Sequence, residues 1–545
     1  MAYLCQFGKS SEKTMTEYFW KRRKVLLFAA VVMAITMVPY IMGYACQGEE
    51  WRFTGFVIGV EDGNSYLAKM LSGTSGRWLF RSPHSAVEQN GVIAYMPYIL
   101  LGKLASASAQ HEQLVVLYHG ARFIFGSFAI LATYDFAAIF IKKKNLRWWA
   151  LVFITFGGGL GWVLVAINQK GFMGSLPLEF ISPESFGFLG LFGFPHLAAA
   201  RAFLLWGLTL FLKKKNGYIS GILWLLTGFF QPMVVAIAWA LIGSYLIMVT
   251  LFMYIGQNKY LSFGMDFLKL TLNKSVQAVL ISCPILLYTA YIFLRDPYFK
   301  SWTIQNRFPS PHIAHYLIAY GLVLPFAIAG IIELIKSKQQ ESLMLAAWFL
   351  ISPFLIYAPV IAQRRLAEGI WVMLIIGLVG NYIVIGKIPK MIQGVLLLLL
   401  PSTLFIISGS ILRASKPANP VFIAVEEAYV YEFIAENVDK DSIVLSSYKI
   451  GNNLPAWAPV RVVMGHGPET IDLDKIQSEV SDFFSIEDHG DNGCDVFFEN
   501  FNIDYLVWGS LEKDKWQTDP DDLNCLEEIY RQGGYSVFEV NQRKK

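Results

Sequence analysis

Charge is what this chain has least of. Only 16% of its 545 residues are Asp, Glu, Lys or Arg, against roughly 25% in an ordinary soluble domain, while 55% are hydrophobic and the mean hydropathy is +0.45. That balance excludes a soluble globular class and points to a polytopic α-helical membrane protein. Cysteine is also scarce. Cys5, Cys46, Cys283, Cys494 and Cys525 show no Cys-x-x-Cys spacing, which speaks against a zinc site or a thiol redox motif. Cys494 and Cys525 are expected either to pair, if their segment lies outside the cytoplasm, or to remain two free thiols. Internal repeats and low-complexity tracts are absent. The net charge of +4 is spread over loops and not gathered on one face, so nucleic acid is not an expected partner.

What is present in quantity is apolar sequence in long runs. The first, Val25 to about Cys46, follows Lys21-Arg-Arg-Lys24. It is too long for a signal-peptide core and lacks a convincing cleavage site, so it reads as an uncleaved span with its N-terminus in the cytoplasm. Further spans are expected at about 119–141, 148–167, 191–212, 217–235, 236–256, 275–294, 313–335, 343–361, 367–386 and 391–412, about eleven in all. The first outer loop, about 47–118, holds one more apolar stretch, Gly91 to Ala105. It is short for a hydrocarbon core of ~30 Å and is expected to lie on or dip into the outer face. With that count the basic clusters at Lys142–Lys144, Lys213–Lys215, Lys336 with Lys338, and Lys387 with Lys390 all fall inside, as the positive-inside rule requires. The division expected is a membrane domain over 1–414 and a soluble extracytoplasmic domain over 415–545. In the latter, strand-like runs at 442–446, 460–464, 505–508 and 535–540 alternate with helical stretches at 425–437 and 474–484, predicting a small α/β fold.

Against this background a few polar residues stand out. Glu61 and Asp62, in Val60-Glu-Asp-Gly-Asn-Ser-Tyr66, fall in the first outer loop, where chemistry on a lipid-linked substrate needs a base. Adjacent carboxylates point apart in most backbone conformations, so one acts and the other is structural, and Asp62 also suits a helix N-cap. Gln363-Arg-Arg365 with Glu368 sits at the outer end between two spans. Paired guanidinium groups there match a phosphate or pyrophosphate, or snorkel to lipid headgroups. Arg122, three residues after His119, opens the second span, and Arg201 lies inside the fourth, five residues after His196. An arginine within a span is costly enough to signal function or ion pairing, whereas His196 equally suits a satisfied core position.

Taken together, Asp62-x-x-x-Tyr66, Gly76-x-Trp78, the outer amphipathic stretch and His119-x-x-Arg122 resemble the start of the GT-C membrane glycosyltransferases. Within them the likeness is to the branch of protein O-mannosyltransferases and lipid A aminoarabinose transferases. It extends to bacterial multi-span proteins of this type through Phe194-Pro-His196, Gln363-Arg-Arg-x-x-Glu-Gly369, Gly451-Asn-Asn-Leu-Pro-Ala-Trp457, Gly465-His466 and Glu469-Thr470. The Glu-Asp order here replaces the Asp-Glu common in those relatives.

The resemblance implies an integral protein of the bacterial plasma membrane that takes a sugar from a polyprenyl-phosphate donor. The acceptor is a protein, lipid or glycan at the outer face, and transfer inverts the anomeric centre with Asp62, or Glu61, as general base. Tyr66, His119, Arg122, His196, Arg201, Arg364, Arg365 and Glu368 are the expected substrate-binding residues, and Trp457, His466 and Glu469 are further candidates to touch substrate. No cofactor is required by this reading. A divalent metal stays open, with Glu179 and Glu184 as its only candidate ligands. The competing classes are a lipid or glycan transporter or flippase, for which no inverted repeat is visible, and a non-catalytic protein that binds lipid-linked glycans.

Overall fold

Proline and glycine break the apolar runs, and the computed structural model turns those breaks into helix ends. It describes residues 17–541 apart from 19, 107–109, 255–260, 262, 486–495 and 517. Among the described residues, seven helices are long and apolar enough to cross a membrane: Arg23–Cys46, Gln110–Phe140, Lys144–Ala166, Pro195–Lys213, Pro232–Tyr254, Met265–Arg295 and Lys390–Ala414. An eighth is counted if the pair Ile313–Tyr320 and Leu324–Lys336, bent by 68°, forms one span. This is the build of an integral membrane protein.

The other apolar stretches are helical but shorter than a span needs. Tyr218–Phe230 stops before Gln231, and Pro232 starts the next helix, so the break comes earlier than hydropathy alone places it. Ser342–Ile356 and Ile370–Gly380 are likewise short. At about 1.5 Å per residue, the 11 residues of the last helix cover only about half of a bilayer core, and all of them are buried in protein. Within the stretch at 91–105 only Met96–Gly102 is helical, and seven residues are too few to cross.

The chain folds as two compact units. The first comprises Met1–Val38, Ala121–Leu287 and Phe308–Ser408. Its core is one continuous apolar cluster that includes Phe136, Trp224, Trp348 and Trp371. The second comprises Pro39–Gly120, Tyr288–Arg307 and Gly409–Lys545. It therefore joins the first outer loop to the C-terminal segment, a division different from a single cut at 414/415.

Two sheets organise the second unit. β1 (Trp51–Phe53) from the outer loop pairs antiparallel with β2 (Phe422–Ala424). A five-stranded sheet runs β4 (Arg461–Val462), β3 (Ile443–Leu445), β5 (Tyr505–Trp508), β7 (Tyr535–Val540), β6 (Leu526–Gln532). β3 is parallel to β4 and β5, whereas β7 is antiparallel to β5 and β6. The helices Val425–Asn437 and Leu473–Phe483 lie where the sequence places them. In the five-stranded sheet β6 is the strand the sequence hides, because Leu526-Glu-Glu-Ile-Tyr-Arg-Gln532 shows a polar face and a bulge near Glu528 and Tyr530; the short strands β1 and β2 are not expected from the sequence either. Cys525, at its start, is disulfide-bonded; Cys494, its expected partner, lies outside the described residues.

In the first unit the turn at Gly369 is a point of high constraint. Its φ of 81° is left-handed, it caps the helix Ile370–Gly380, and an added Cβ would lie 2.3 Å from Trp348 Cζ2. Gly369→Ala is expected to destabilise this unit by about 1–3 kcal/mol from the backbone alone, with displacement of Trp348 adding to it. A lowered melting temperature of the detergent-solubilised protein checks this.

Candidate active site

The helix Val60–Thr74 positions Asp62. Gly59, with φ 59° and ψ 46°, adopts the left-handed conformation that lets the chain enter this helix abruptly. Glu61 and Asp62 then occupy the first turn, where the unpaired amides and helix dipole favour negative charge. Because 3.6 residues make a turn, Asp62, Ser65, Tyr66 and Lys69 fall on one helical face.

That face meets the C-terminal segment of the same unit. Lys69 is fully buried, and its ammonium lies 2.6 Å from Glu469 Oε1, 400 residues later in the chain. Ser65 donates to the same carboxylate oxygen at 2.5 Å, and Ser82 donates to the other at 2.6 Å. Lys69 also donates to Ser65 Oγ and lies 4.4 Å from the centre of the Tyr95 ring. Burial alone would raise the Glu469 carboxyl, but the Lys69 charge and the neighbouring imidazoles of His84 and His466 outweigh it and hold the group well below the usual carboxylate range.

His466 stands between this buried pair and Asp62. Its Nδ1 lies 3.5 Å from Glu469 Oε1 and its Nε2 3.4 Å from Asp62 Oδ1. The Asp62 side chain is 50% exposed, against 6% for His466. The order is therefore a buried cation, a buried anion, an imidazole and a solvent-facing carboxylate. His84 flanks it: burial pushes its imidazole down, the Glu469 carboxylate opposes this, and Nε2 faces the Asn452 carbonyl at 3.3 Å. Thr470 fixes the loop by accepting from the amides of Gly465 and His466 and donating to the His84 carbonyl at 2.8 Å.

Glu61 is differently engaged. Tyr448 donates to its Oε2 at 3.1 Å, and burial first, then the Glu61 charge, pushes that phenol up to about 12. Asn64 links the same helix to the tail motif by donating to Asn452 and Asn453 at 2.9 and 2.6 Å. Tyr66 stacks on Tyr98 with centroids 4.6 Å apart. Trp457 is packed face to face on His111 at 3.7 Å and is buried, so it is a wall of the fold. His119, also buried, faces the Gly55 carbonyl at 2.9 Å through Nε2.

The remaining sequence candidates belong to the first unit. Arg122 is buried and donates to Thr36 Oγ1 at 2.7 Å and to the Leu191 carbonyl at 3.3 Å. His196 is half-buried beside Phe194. Arg201 and Glu368 form a buried two-pronged ion pair at 2.5 and 3.0 Å, and Arg201 also donates to the carbonyls of Pro183 and Phe186. Arg364 and Arg365, both half-buried, have no salt bridge among the described residues; their guanidinium groups lie 6.0 and 4.7 Å from the Phe308 ring centre. Glu179 is buried and accepts from the Gly161 amide at 2.6 Å. The Glu184 carbonyl accepts from Arg201. Among the described residues, no group of three or more His, Cys, Asp and Glu is placed to hold a metal ion.

The polar residues that sequence reasoning passed over are Lys69, Ser65, Ser82, His84 and Tyr448. One signal was available for Lys69, the only basic residue in its helix and seven positions from Asp62.

Glu469→Gln strands a buried ammonium and is expected to cost about 3–5 kcal/mol, whereas the apolar double variant Lys69→Met/Glu469→Leu costs much less. Denaturant unfolding of the solubilised protein separates them. Because the folded carboxyl is depressed, the contribution of Glu469 is complete above the ordinary value of 4.5 and is lost only as pH falls well below it.

No protein-family model matches the chain, and no curated protein sequence matches it. Solved structures do. An oligosaccharyltransferase from Archaeoglobus fulgidus, tethered to an acceptor peptide with an NVT sequon, aligns over 91% of this chain and 70% of its own, with TM-score 0.50 and 13% identity. The arabinofuranosyltransferase AftD from mycobacteria aligns over 96% of this chain but only 40% of its own, with TM-score 0.56 and 13% identity. Both are GT-C membrane glycosyltransferases. At such low identity the likeness is one of architecture, and in architecture this chain has the GT-C fold.

Proposed function

We propose that the protein is a membrane glycosyltransferase that moves a sugar from a polyprenyl-phosphate donor to an acceptor hydroxyl at the outer face of the membrane, with inversion. The observation that carries the reading is Asp62 itself: half exposed, at a helix N-terminus, with His466 behind it and the Lys69–Glu469 pair behind that. The GT-C fold supports glycosyl transfer as the reaction class. The disulfide at Cys525 supports an extracytoplasmic C-terminal segment, because disulfides persist in oxidising compartments.

In the proposed step the acceptor oxygen attacks the anomeric carbon while the bond from that carbon to the phosphate oxygen breaks, its electron pair leaving with the polyprenyl phosphate. The acceptor proton passes to Asp62. One carboxylate is enough, because a phosphate departs as an anion that needs cations and no general acid. Glycoside hydrolysis differs in needing two facing carboxylates. His466 is assigned to orienting Asp62, and Glu469, paired with Lys69, acts on His466 through its charge, since His466 Nδ1 makes no hydrogen bond among the described residues. Of the two carboxylates in the first turn, Glu61 is held by Tyr448, so Asp62 is the assigned base. For the donor phosphate the assignment is Arg364 and Arg365, two adjacent guanidinium groups that make no salt bridge among the described residues and lie beside the Phe308 ring. Arg201 is committed to Glu368 and to carbonyls and is assigned to holding the loop near Pro183.

The test is release of polyprenyl phosphate from a panel of polyprenyl-phosphate sugars by the purified protein. Asp62→Asn is expected to lower the rate by ~10²–10⁴-fold, while Glu61→Gln keeps most of it. Wild-type release by Asp62→Asn would remove Asp62 from the mechanism. Arg364→Ala is expected to lose ~10²-fold or more if its contact tightens in the transition state. Donor binding without release in the wild type would point instead to a binding protein or a transporter.

A further inference from the structure

The second unit holds a basic pocket that the proposed transfer step does not use. The helix Val60–Thr74 turns its Asp62 face toward Glu469, and further along the helix Ala68 and Ser72, at the edge of that face, line this pocket together with Ser75. Arg77, Lys440, Asp441 and Arg461 supply its charge, and the pocket holds about 410 Å³ of empty space, open solvent included. Pro83, Pro455 and Pro459 form stiff walls.

The cations there outnumber the acids. Arg77 is bonded to Asp441. Arg461 donates from Nε and Nη2 to the Ser85 carbonyl at 3.2 and 2.9 Å, and from Nη2 to the Val87 carbonyl at 2.6 Å. Its guanidinium is thereby held in place, with Nη1 making no hydrogen bond among the described residues. Lys440 is exposed and has no ion pair among the described residues, and the same holds for Arg81 beside the pocket. Burial, then the charges of Arg81 and Arg461, push the Arg77 guanidinium down; burial and Arg81 do the same to Arg461, with Glu88 opposing. Like charges held this close repel at a cost that an anion between them removes.

We propose that this pocket binds an oxyanion, the carboxylate or phosphate of an acidic saccharide. With Nε and Nη2 of Arg461 spent on carbonyls, its Nη1 and the Lys440 ammonium are the donors that oxygens of either group would meet. The hydroxyls of Ser72 and Ser75 donate to the Ala68 and Leu71 carbonyls at 3.1 and 3.2 Å and keep lone pairs able to accept from sugar hydroxyls, and the proline walls offer apolar CH surface. The oxyanion part stands on the charge arrangement alone; the saccharide part rests on the glycosyl-transfer reading and would hold an acidic unit of the acceptor.

The experiment is a calorimetric titration of the detergent-solubilised protein, without donor, using oligogalacturonate, a neutral malto-oligosaccharide of equal length, inorganic phosphate, and phosphatidylglycerol vesicles. The expected result is that oligogalacturonate binds and the neutral sugar does not. The double variant Arg81→Gln/Lys440→Gln, changed only at exposed positions, should lose at least about tenfold in affinity with an unaltered melting temperature. Equal binding of acidic and neutral sugars, unchanged affinity in the double variant, binding to vesicles alone, or binding of inorganic phosphate alone would each overturn the proposal. Asp62→Asn should bind oligogalacturonate as the wild type does. Loss of transfer chemistry and loss of this site are thus read separately.

Discussion

A lysine ammonium and a glutamate carboxylate, 400 residues apart in the chain, are buried together at 2.6 Å, and the arrangement of the second unit depends on that pair. Burying either charge alone costs several kcal/mol, so neither segment can hold its position without the other. The hydroxyls of Ser65 and Ser82 occupy further lone pairs of Glu469, which is what makes a buried ion pair tolerable. The constraint is one of register as much as of energy. Lys69 fixes the rotation of the helix Val60–Thr74, Glu469 fixes the loop from Gly465 to Thr470, and Asp62 and His466 face each other because both are carried on elements pinned one or two turns away.

The same constraint separates the two adjacent carboxylates. Successive residues on a helix differ by about 100° in direction, and Asp62, seven residues before Lys69, points nearly the way Lys69 does, while Glu61 is turned well away from it. Glu61 instead meets Tyr448. A pair that is ambiguous in sequence becomes two residues in different environments. The shared feature is the helix N-terminus, which favours negative charge at both positions.

Much of the architecture was legible because apolar runs and strand alternation are local signals. The helices at 425–437 and 473–483 and the strands at 505–508 and 535–540 lie where periodicity puts them. The hidden features are those set by tertiary contacts. Helices such as Ile370–Gly380, buried all round by protein, need not span a bilayer to stay apolar, so hydropathy cannot distinguish them from full crossings. β6 carries charges on its open face and reads as loop. At the site, Asp62, His466 and Glu469 each stood out in the sequence, but nothing local linked them. Lys69 was invisible as a partner because a lone lysine in an outer loop ordinarily faces water. Trp457 shows the converse: an aromatic in a conspicuous motif whose stacking on His111 accounts for it.

The contrast among the arginines follows from how far protein groups already satisfy them. Arg201 has a two-pronged carboxylate and several carbonyls around its guanidinium. Adding a phosphate there would break bonds of the same kind that it made, with little net gain. Among the described residues the side chains of Arg364 and Arg365 make no hydrogen bond or salt bridge; each lies beside the Phe308 ring, at 6.0 and 4.7 Å, and Arg364 also feels the charge of Glu184, interactions that are weak when solvent can reach the cation. An anionic ligand gains most where the protein has left donors unspent, so position within a span, which singled out Arg201 from sequence, is a poorer guide to substrate contact than the count of hydrogen bonds each guanidinium already makes.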